Sequence, residues 1–477
     1  MRNVLLFFVL LFVKSQVTSQ VLVSAVEIAS KTTSQVTSVL GSLGAPYYPV
    51  KIYKLRYKTK DPFNNDTIAS GAVFIPTNIC DSMPVVAYCH GTVLRKTEVP
   101  SAQYDSNYEG LFFASKGYVV AMPDYLGLGD NGGFHPYLHS QTEATATIDL
   151  MRAMREYIAG TTEHLDGKVF VTGYSQGGHA AMATMKYIQD SSLTSEFNIV
   201  AGGPMSGPYS LSRVQPATIY DSVYGYNGFS PYVINSYQYV YGNLYTDINQ
   251  YYDSPYNASI PPFLDGTHTF TSLNSSLPTN IYSFMNDSVL DNFIADTVTF
   301  STTLRHDLKL NDNYAWHASM PIRACYCGND DLVLPGNSTM AADSMTSMGS
   351  ADVVAVKINQ NGNHSTCFTP AIKYVRNWFE TFRTDCNNLN GLAEIQDHAP
   401  VLMFPNPATD RIEISGQFKI EGIEISDVNG KKVFNDNKID KNSFSIDISN
   451  LHNGFYIIKS IDQQGGIHFN KFMVQNN

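Results

Sequence analysis

Val169-Phe170-Val171-Thr172-Gly173-Tyr174-Ser175-Gln176-Gly177-Gly178-His179 runs from a β-branched segment through a Gly-x-Ser-x-Gly core into a helical pattern of Ala180, Ala181, Met182, Met185 and Ile188. A strand that enters a helix through so tight a turn leaves Ser175 on a strained elbow. Gly173 and Gly177 lack the Cβ atoms that would clash there. The elbow lifts the hydroxyl clear of the sheet, and the N-terminus of the following helix favours developing negative charge. The five-residue core alone is weak evidence; its place between a strand and a helix makes it strong.

Outward from this stretch the same rhythm repeats. Met83 to Cys89 is a compact apolar run that ends in His90-Gly91-Thr92, and Tyr118 to Met122 ends in Pro123-Asp124-Tyr125-Leu126-Gly127-Leu128-Gly129. Both read as strands buried on two faces. Residues 104–116 and about 139–158 read as helices, and Asn198 to Gly202 as the next strand. Such alternation predicts an α/β fold with a mostly parallel sheet, right-handed crossovers and a reactive site beyond the carboxyl ends of the strands. Upstream, residues 21–41 read as a modest helix, and Lys51 to Lys58 with Ile68 to Ile75 as a hairpin.

From about Pro208 to Trp316 the rhythm stops. Eleven of the 30 tyrosines fall between Tyr220 and Tyr256, among several Pro and Gly breaks. This region is expected to be a cap inserted over the site, with short helices near Val289-Leu290 and Phe293-Ile294. Its tyrosines either wall a substrate that has apolar and polar parts or pack within the cap. The sheet resumes at Ile322 to Tyr326, followed by Gly328-Asn329-Asp330-Asp331, a helix from near Asn337, a strand at Asp352 to Ile358, then His364. A last helix is expected from Pro370 to Arg383.

The two ends differ from this body. Residues 1–19, with Arg2, the apolar run Val4 to Val13 and small residues at Val17-Thr18-Ser19, read as a signal peptide. The catalytic body would then span 20–386. Residues 387–400 are a polar linker, and 401–477 alternate in short runs separated by Asp427-Val428-Asn429-Gly430 and Gln463-Gln464-Gly465-Gly466, as a small all-β sandwich does. Charged residues make up 15% and hydrophobic ones 43%, which describes a globular chain with a sizeable core. A net charge of -11 offers no basic face for nucleic acid.

A serine hydroxyl needs a base, and the base a carboxylate that orients it. After Ser175 the order available is Asp331, then His364, each following a late strand. Asp330 is the rival acid; Asp331 is preferred for its place in Gly-x-x-Asp-x-x-x-Pro. His179 reads as packing on the helix after the serine, His268, His306 and His317 fall before the acid, and His398 lies in the linker. Two backbone donors for an oxyanion are expected from Gln176 and Thr92. Cys80, Cys89, Cys325, Cys327, Cys367 and Cys386 allow 15 full pairings, and buried thiols or one to two disulfides are expected. Cys325 and Cys327 near His364 and Cys367 lack the spacing of a metal site. No cofactor or metal is called for.

His90-Gly91-Thr92, Asp124-Tyr125-Leu126-Gly127-Leu128-Gly129, His135-Pro136-Tyr137-Leu138, Gly173-Tyr174-Ser175-Gln176-Gly177-Gly178, Gly328-x-x-Asp331 and Gly362-Asn363-His364 together resemble the α/β-hydrolase superfamily. More narrowly, they resemble its secretory lipase/esterase group, the relatives of yeast lipase A. The resemblance covers roughly residues 45–385. It implies hydrolysis of carboxylic esters, of lipid or sugar, through an acyl-enzyme on Ser175, in the order serine, acid, histidine. The Tyr-rich cap lacks the long apolar helix of an interfacial lipase, which argues against long-chain triglycerides. Pro405-Asn406-Pro407-Ala408, Asp427-Val428-Asn429-Gly430-Lys431, Asn453-Gly454-Phe455-Tyr456 and Lys471-Phe472 resemble the type A sorting domain of type IX secretion in Bacteroidetes. That implies a partner in the type IX machinery and a secreted or surface-attached enzyme. Two other functions stand beside the esterase. One is a serine peptidase of the prolyl-oligopeptidase kind, although no propeller-sized domain precedes the sheet; the other is a non-catalytic binding protein on this scaffold.

Overall fold

The computed structural model describes residues 20–79, 82–220, 224–383, 402–427, 430–436, 438–463 and 467–475. The expected signal peptide, the linker, Cys80 and Cys386 lie outside them. The chain divides into two units, Met1–Thr384 and Asp385–Asn477.

Nine strands form the sheet of the first unit: β1 (Leu22–Lys31), β2 (Val50–Lys60), β3 (Asp66–Pro76), β4 (Met83–Cys89), β5 (Val119–Pro123), β6 (Leu165–Tyr174), β7 (Asn198–Met205), β8 (Ile322–Cys327) and β9 (Val353–Asn359). Their order is β1-β2-β3-β5-β4-β6-β7-β8-β9. The strands from β5 across to β9 run parallel, and β1, β2 and β3 join antiparallel at one edge. β4, β5 and the last six residues of β6 are wholly buried, which explains why their sequences read as unbroken apolar runs.

Two expectations are corrected here. Residues 22–31 are a strand, not part of a helix: β1 pairs with β2, and only the segment Thr33–Leu40 (α1) turns helical, behind a capping box of Thr32 and Gln35. Val21 to Lys31 mixes both periods, and pairing with the open edge of β2 decides between them. The last helix begins at His364 rather than near Pro370.

Helices α2 (Tyr108–Ala114), α3 (Ser140–Ile158) and α4 (Gln176–Asp190) follow β4, β5 and β6. α3 lies on α4 and buries Ala144, Ile148, Met151 and Met154. The cap between β7 and β8 contains α5 (Phe229–Tyr241), α6 (Asp287–Ala295), α7 (Thr303–Leu310) and several shorter turns. It has a core of its own, in which Tyr232, Tyr237, Tyr252, Phe284 and Leu273 are buried. α8 (Gly336–Ser347) and α9 (His364–Glu380) complete the unit.

The second unit is antiparallel. Its strands are β10 (Leu402–Phe404), β11 (Arg411–Asp427), β12 (Lys432–Asp436), β13 (Lys441–Asp447), β14 (Gly454–Asp462) and β15 (Ile467–Val474). The long β11 pairs with β10 and β13 mainly through its first half and with β12 and β14 through its second. Two expected strands are therefore one, which pairs with four others in the small β-sandwich unit. Ile412, Ile414, Ile423, Ile425, Ile458 and Phe472 fill its centre. Residues 428–429 and 464–466, within the two expected turns, lie outside the described residues.

Candidate active site

Ser175 sits between the end of β6 and the start of α4 with φ 61° and ψ -123°, a conformation that L-residues adopt only at a cost. The neighbouring backbone enforces it. A Cβ on Gly177 would lie 1.9 Å from the carbonyl oxygen of Cys89, and one on Gly173 would lie 2.3 Å from the carbonyl oxygen of Gly177. Only glycine lets β4, β6 and α4 meet this closely. The Ser175 N–H donates to Met205 O at 3.0 Å, which ties the elbow to β7.

Ser175 Oγ lies 3.0 Å from His364 Nε2. His364 Nδ1 lies 2.9 Å from each carboxylate oxygen of Asp330. The expected acid, Asp331, is not the one against the imidazole. Asp330 is buried, and its Oδ1 also accepts the N–H groups of Leu332 and Val333. Asp331 is exposed, and its Oδ1 accepts the backbone N–H of His364 at 3.1 Å. Adjacent residues of a tight loop point apart, so only one of the two can face the ring. His364 is the first residue of α9, capped by Asn363 in a box with Thr366; Tyr174 Oη donates to the His364 carbonyl. Cys327, at the end of β8, is bonded to Cys367 in α9. This bridge fastens the strand that leads into the acid loop to the helix that carries the histidine. Cys89 and Cys325 are free and buried, and burial raises both thiols, Cys89 to about 12.

Gln176 and Thr92 flank the serine from α4 and from the turn after β4. Neither backbone N–H donates to a protein acceptor among the described residues. The turn is held from the cap. Thr92 Oγ1 and Tyr137 Oη are 2.8 Å apart, the Tyr137 and Tyr232 rings stack at 4.2 Å, and Tyr232 Oη donates to Val93 O at 2.9 Å. From the same helix α5, Ser236 Oγ and Tyr237 Oη donate to the carbonyls of Tyr137 and Leu138.

Sequence reading missed a second polar cluster behind the elbow. His90, His135 and His139 are buried, and burial lowers all three, His135 to about 3 and His139 to about 4. His135 is therefore neutral. Its Nδ1–H donates to Leu126 O at 2.7 Å, which leaves Nε2 as an acceptor facing Gln176. Glu143 lies between Gln176 and His179. The periodicity of α3 held the only signal, since Glu143 shares a stripe with Thr147, Leu150 and Met154.

Ser175 opens on a cavity of about 940 Å³, open solvent at its mouth included. Val233, Met285, Val289, Phe293, Leu304 and Leu308 are among its walls, and no charged side chain among the described residues lines it. Of the cap tyrosines whose side chains are described, Tyr224 contributes, whereas Tyr232, Tyr237, Tyr251 and Tyr252 are buried in the cap's own core. Among the described residues no cluster of His, Cys, Asp or Glu could hold a metal ion, and no helix is long and apolar enough to cross a membrane.

A family model described as secretory lipase matches residues 107–381, and one described as secretion system C-terminal sorting domain matches residues 402–475. The crystal structure of the rice cell wall degrading esterase LipA from Xanthomonas oryzae is 30% identical, with a TM-score of 0.70; the match covers 77% of this chain and 100% of that one. Lipase A of Candida antarctica matches at 15% identity and a TM-score of 0.56, over 77% of this chain and 84% of that one, a likeness of fold. A search of curated protein sequences returned no match. None of these findings supports a peptidase.

Proposed function

Since the chain belongs to the secretory lipase family and is a secreted hydrolase of carboxylic esters, we propose that it works through an acyl-enzyme on Ser175 and accepts aliphatic acyl groups of medium length. In this reading His364 Nε2 takes the Ser175 proton as the oxygen attacks the ester carbonyl, and later returns a proton to the leaving alcohol. Asp330 holds the imidazole in the tautomer with its proton on Nδ1 and stabilises the imidazolium. The N–H groups of Gln176 and Thr92 receive the oxyanion, a contribution of ~3 kcal/mol for each donor. Water then repeats the sequence against the acyl-enzyme.

The observation that carries the reading is the 3.0 Å approach of Ser175 Oγ to His364 Nε2 at the mouth of an apolar cavity. Walls of Val, Leu, Met and Phe favour an alkyl chain over a sugar, which would require buried hydrogen-bonding partners. The alcohol part then faces the solvent side. The C-terminal unit directs type IX secretion to the cell surface or the medium, and we take the boundary between enzyme and tail to lie within residues 387–400.

The test is hydrolysis of nitrophenyl esters from acetyl to palmitoyl, with Ser175→Ala in parallel. The expected result is an optimum between hexanoyl and dodecanoyl and loss of activity in the variant. Full activity in Ser175→Ala overturns the mechanism, and an optimum at acetyl overturns the acyl assignment.

A further inference from the structure

Glu143 lies in the first turn of α3 and is 1% exposed. Its Oε1 accepts from Gln176 Nε2 at 2.9 Å, and its Oε2 is 2.7 Å from His179 Nδ1. The second N–H of the Gln176 carboxamide faces the lone pair of His135 Nε2 at 3.0 Å. Both amide protons thus have acceptors. Turning the amide over would set its oxygen against a carboxylate, so this orientation is kept, although the buried amide oxygen itself has no hydrogen-bond partner among the described residues. Gln176 is buried and directly follows the strained Ser175.

A free N–H at the first position of a helix is useful to an oxyanion only if its peptide plane is fixed before the charge develops. The plane between Ser175 and Gln176 is anchored on one side by the packing of Gly177 against Cys89. Its carbonyl, that of Ser175, accepts the N–H groups of Gly178 and His179 at 2.9 and 3.2 Å, and the Gln176 side chain adds a further hold beyond the backbone. We propose that Glu143 is a positioning residue for ester hydrolysis: by gripping the Gln176 carboxamide against His135, it aims the Gln176 N–H at the oxyanion. This rests on the roles given above to Ser175 and Gln176. The carboxylate suits the task, since it accepts from Gln176 and from His179 at once and lies at a helix N-terminus that tolerates buried negative charge.

His179 offers Glu143 a competing role. Its Nε2 faces Asn311 O and Asn313 Nδ2, each at 3.0 Å, and Asn311 reaches Tyr241 of the cap. If Glu143 served only to hold that side, its loss would act independently of Gln176.

A double-mutant cycle separates the two. Glu143→Gln is expected to lower kcat about tenfold with KM unchanged, less than the roughly 100-fold of losing an oxyanion donor outright. It is also expected to slow inactivation by a phosphonate to the same degree, because the phosphonate oxygen occupies the oxyanion position. Gln176→Met keeps the backbone N–H and removes both side-chain contacts, and it is expected to show the same loss. Glu143→Gln added to Gln176→Met is then expected to cost less than about twofold more. Independent losses in the double variant, or wild-type kcat in either single variant, overturn the proposal. If Glu143→Gln does not fold by circular dichroism, Gln176→Met alone decides, through kcat and phosphonate inactivation. Activity retained by Ser175→Ala would instead overturn the underlying mechanism.

Discussion

Asp330, and not its neighbour Asp331, meets His364, with both carboxylate oxygens 2.9 Å from Nδ1. A carboxylate in that place fixes the tautomer that leaves Nε2 free to take the serine proton. Asp330→Asn is therefore expected to lower kcat by about 10⁴-fold, the loss that accompanies a wrong tautomer. Asp331→Asn touches only a solvent-exposed contact to the His364 N–H and is expected to stay within about tenfold of wild type. Steady-state kinetics on one nitrophenyl ester checks both, and the opposite ranking would return the role to Asp331.

Helix α5 of the cap is fastened to the turn that presents Thr92, through Tyr232 on Val93 and Tyr137 on Thr92. A lid that had to swing away would break three hydrogen bonds from α5 to this turn and to residues 137–138, those of Tyr232, Ser236 and Tyr237. The reaction rate is therefore expected to rise smoothly as substrate passes its aggregation concentration, with no jump at the interface. Tyr232→Phe is expected to cost about 1 kcal/mol of stability, measured by denaturant unfolding. An abrupt rise in velocity at the onset of micelles would show that α5 moves.

The sequence made Ser175 and His364 readable because each follows a buried strand and sits in a distinctive tripeptide or pentapeptide. The sheet was readable for the same reason: strands covered on both faces announce themselves as apolar runs. The choice between Asp330 and Asp331 was not, because adjacent loop residues differ in direction and not in chemistry. The start of α9 was obscured by Pro370, which stands inside the helix, while Asn363 gave the true beginning. Glu143 was hidden by its charge, which reads as a surface residue unless its place on the buried stripe of α3 is weighed first. In the cap, tyrosine content suggested an aromatic wall, but composition does not say which face of α5 fronts the cavity. Most of those rings face the cap's own core.

Val289 lines the cavity from helix α6. Val289→Phe is expected to remove room for two or three methylenes, about 2 kcal/mol of acyl burial. That amounts to about a 30-fold fall in kcat/KM for decanoyl esters, with acetyl ester hydrolysis within about twofold. Equal losses on both esters would place the acyl chain elsewhere.

Three buried histidines favour loss of stability in acid, while burial raises the carboxyls of Glu109 to about 7 and Asp312 to about 6, which works in the opposite direction. For His135 and His139 the folded values, about 3 and about 4, lie below the unfolded value of 6.5; His90 shifts in the same direction. Below pH 6.5 the unfolded chain takes up protons that the folded chain refuses. The stability these groups confer is complete above pH 6.5 and is lost as pH falls toward 4 and then 3. Calorimetry from pH 7 to pH 4 is expected to show that His139→Gln loses less Tm over this range than the wild type, and the same dependence of Tm on pH in both would refute the account.

The bond between Cys327 and Cys367 joins segments 40 residues apart in sequence. It forms only where thiols are oxidised, outside the cytoplasm. While the chain is still inside the cell that makes it, the acid and the histidine are aligned by non-covalent contacts alone. Export is thus expected to add a covalent constraint between the acid loop and the helix that carries the histidine. Activity measured before and after reduction gives the size of its effect.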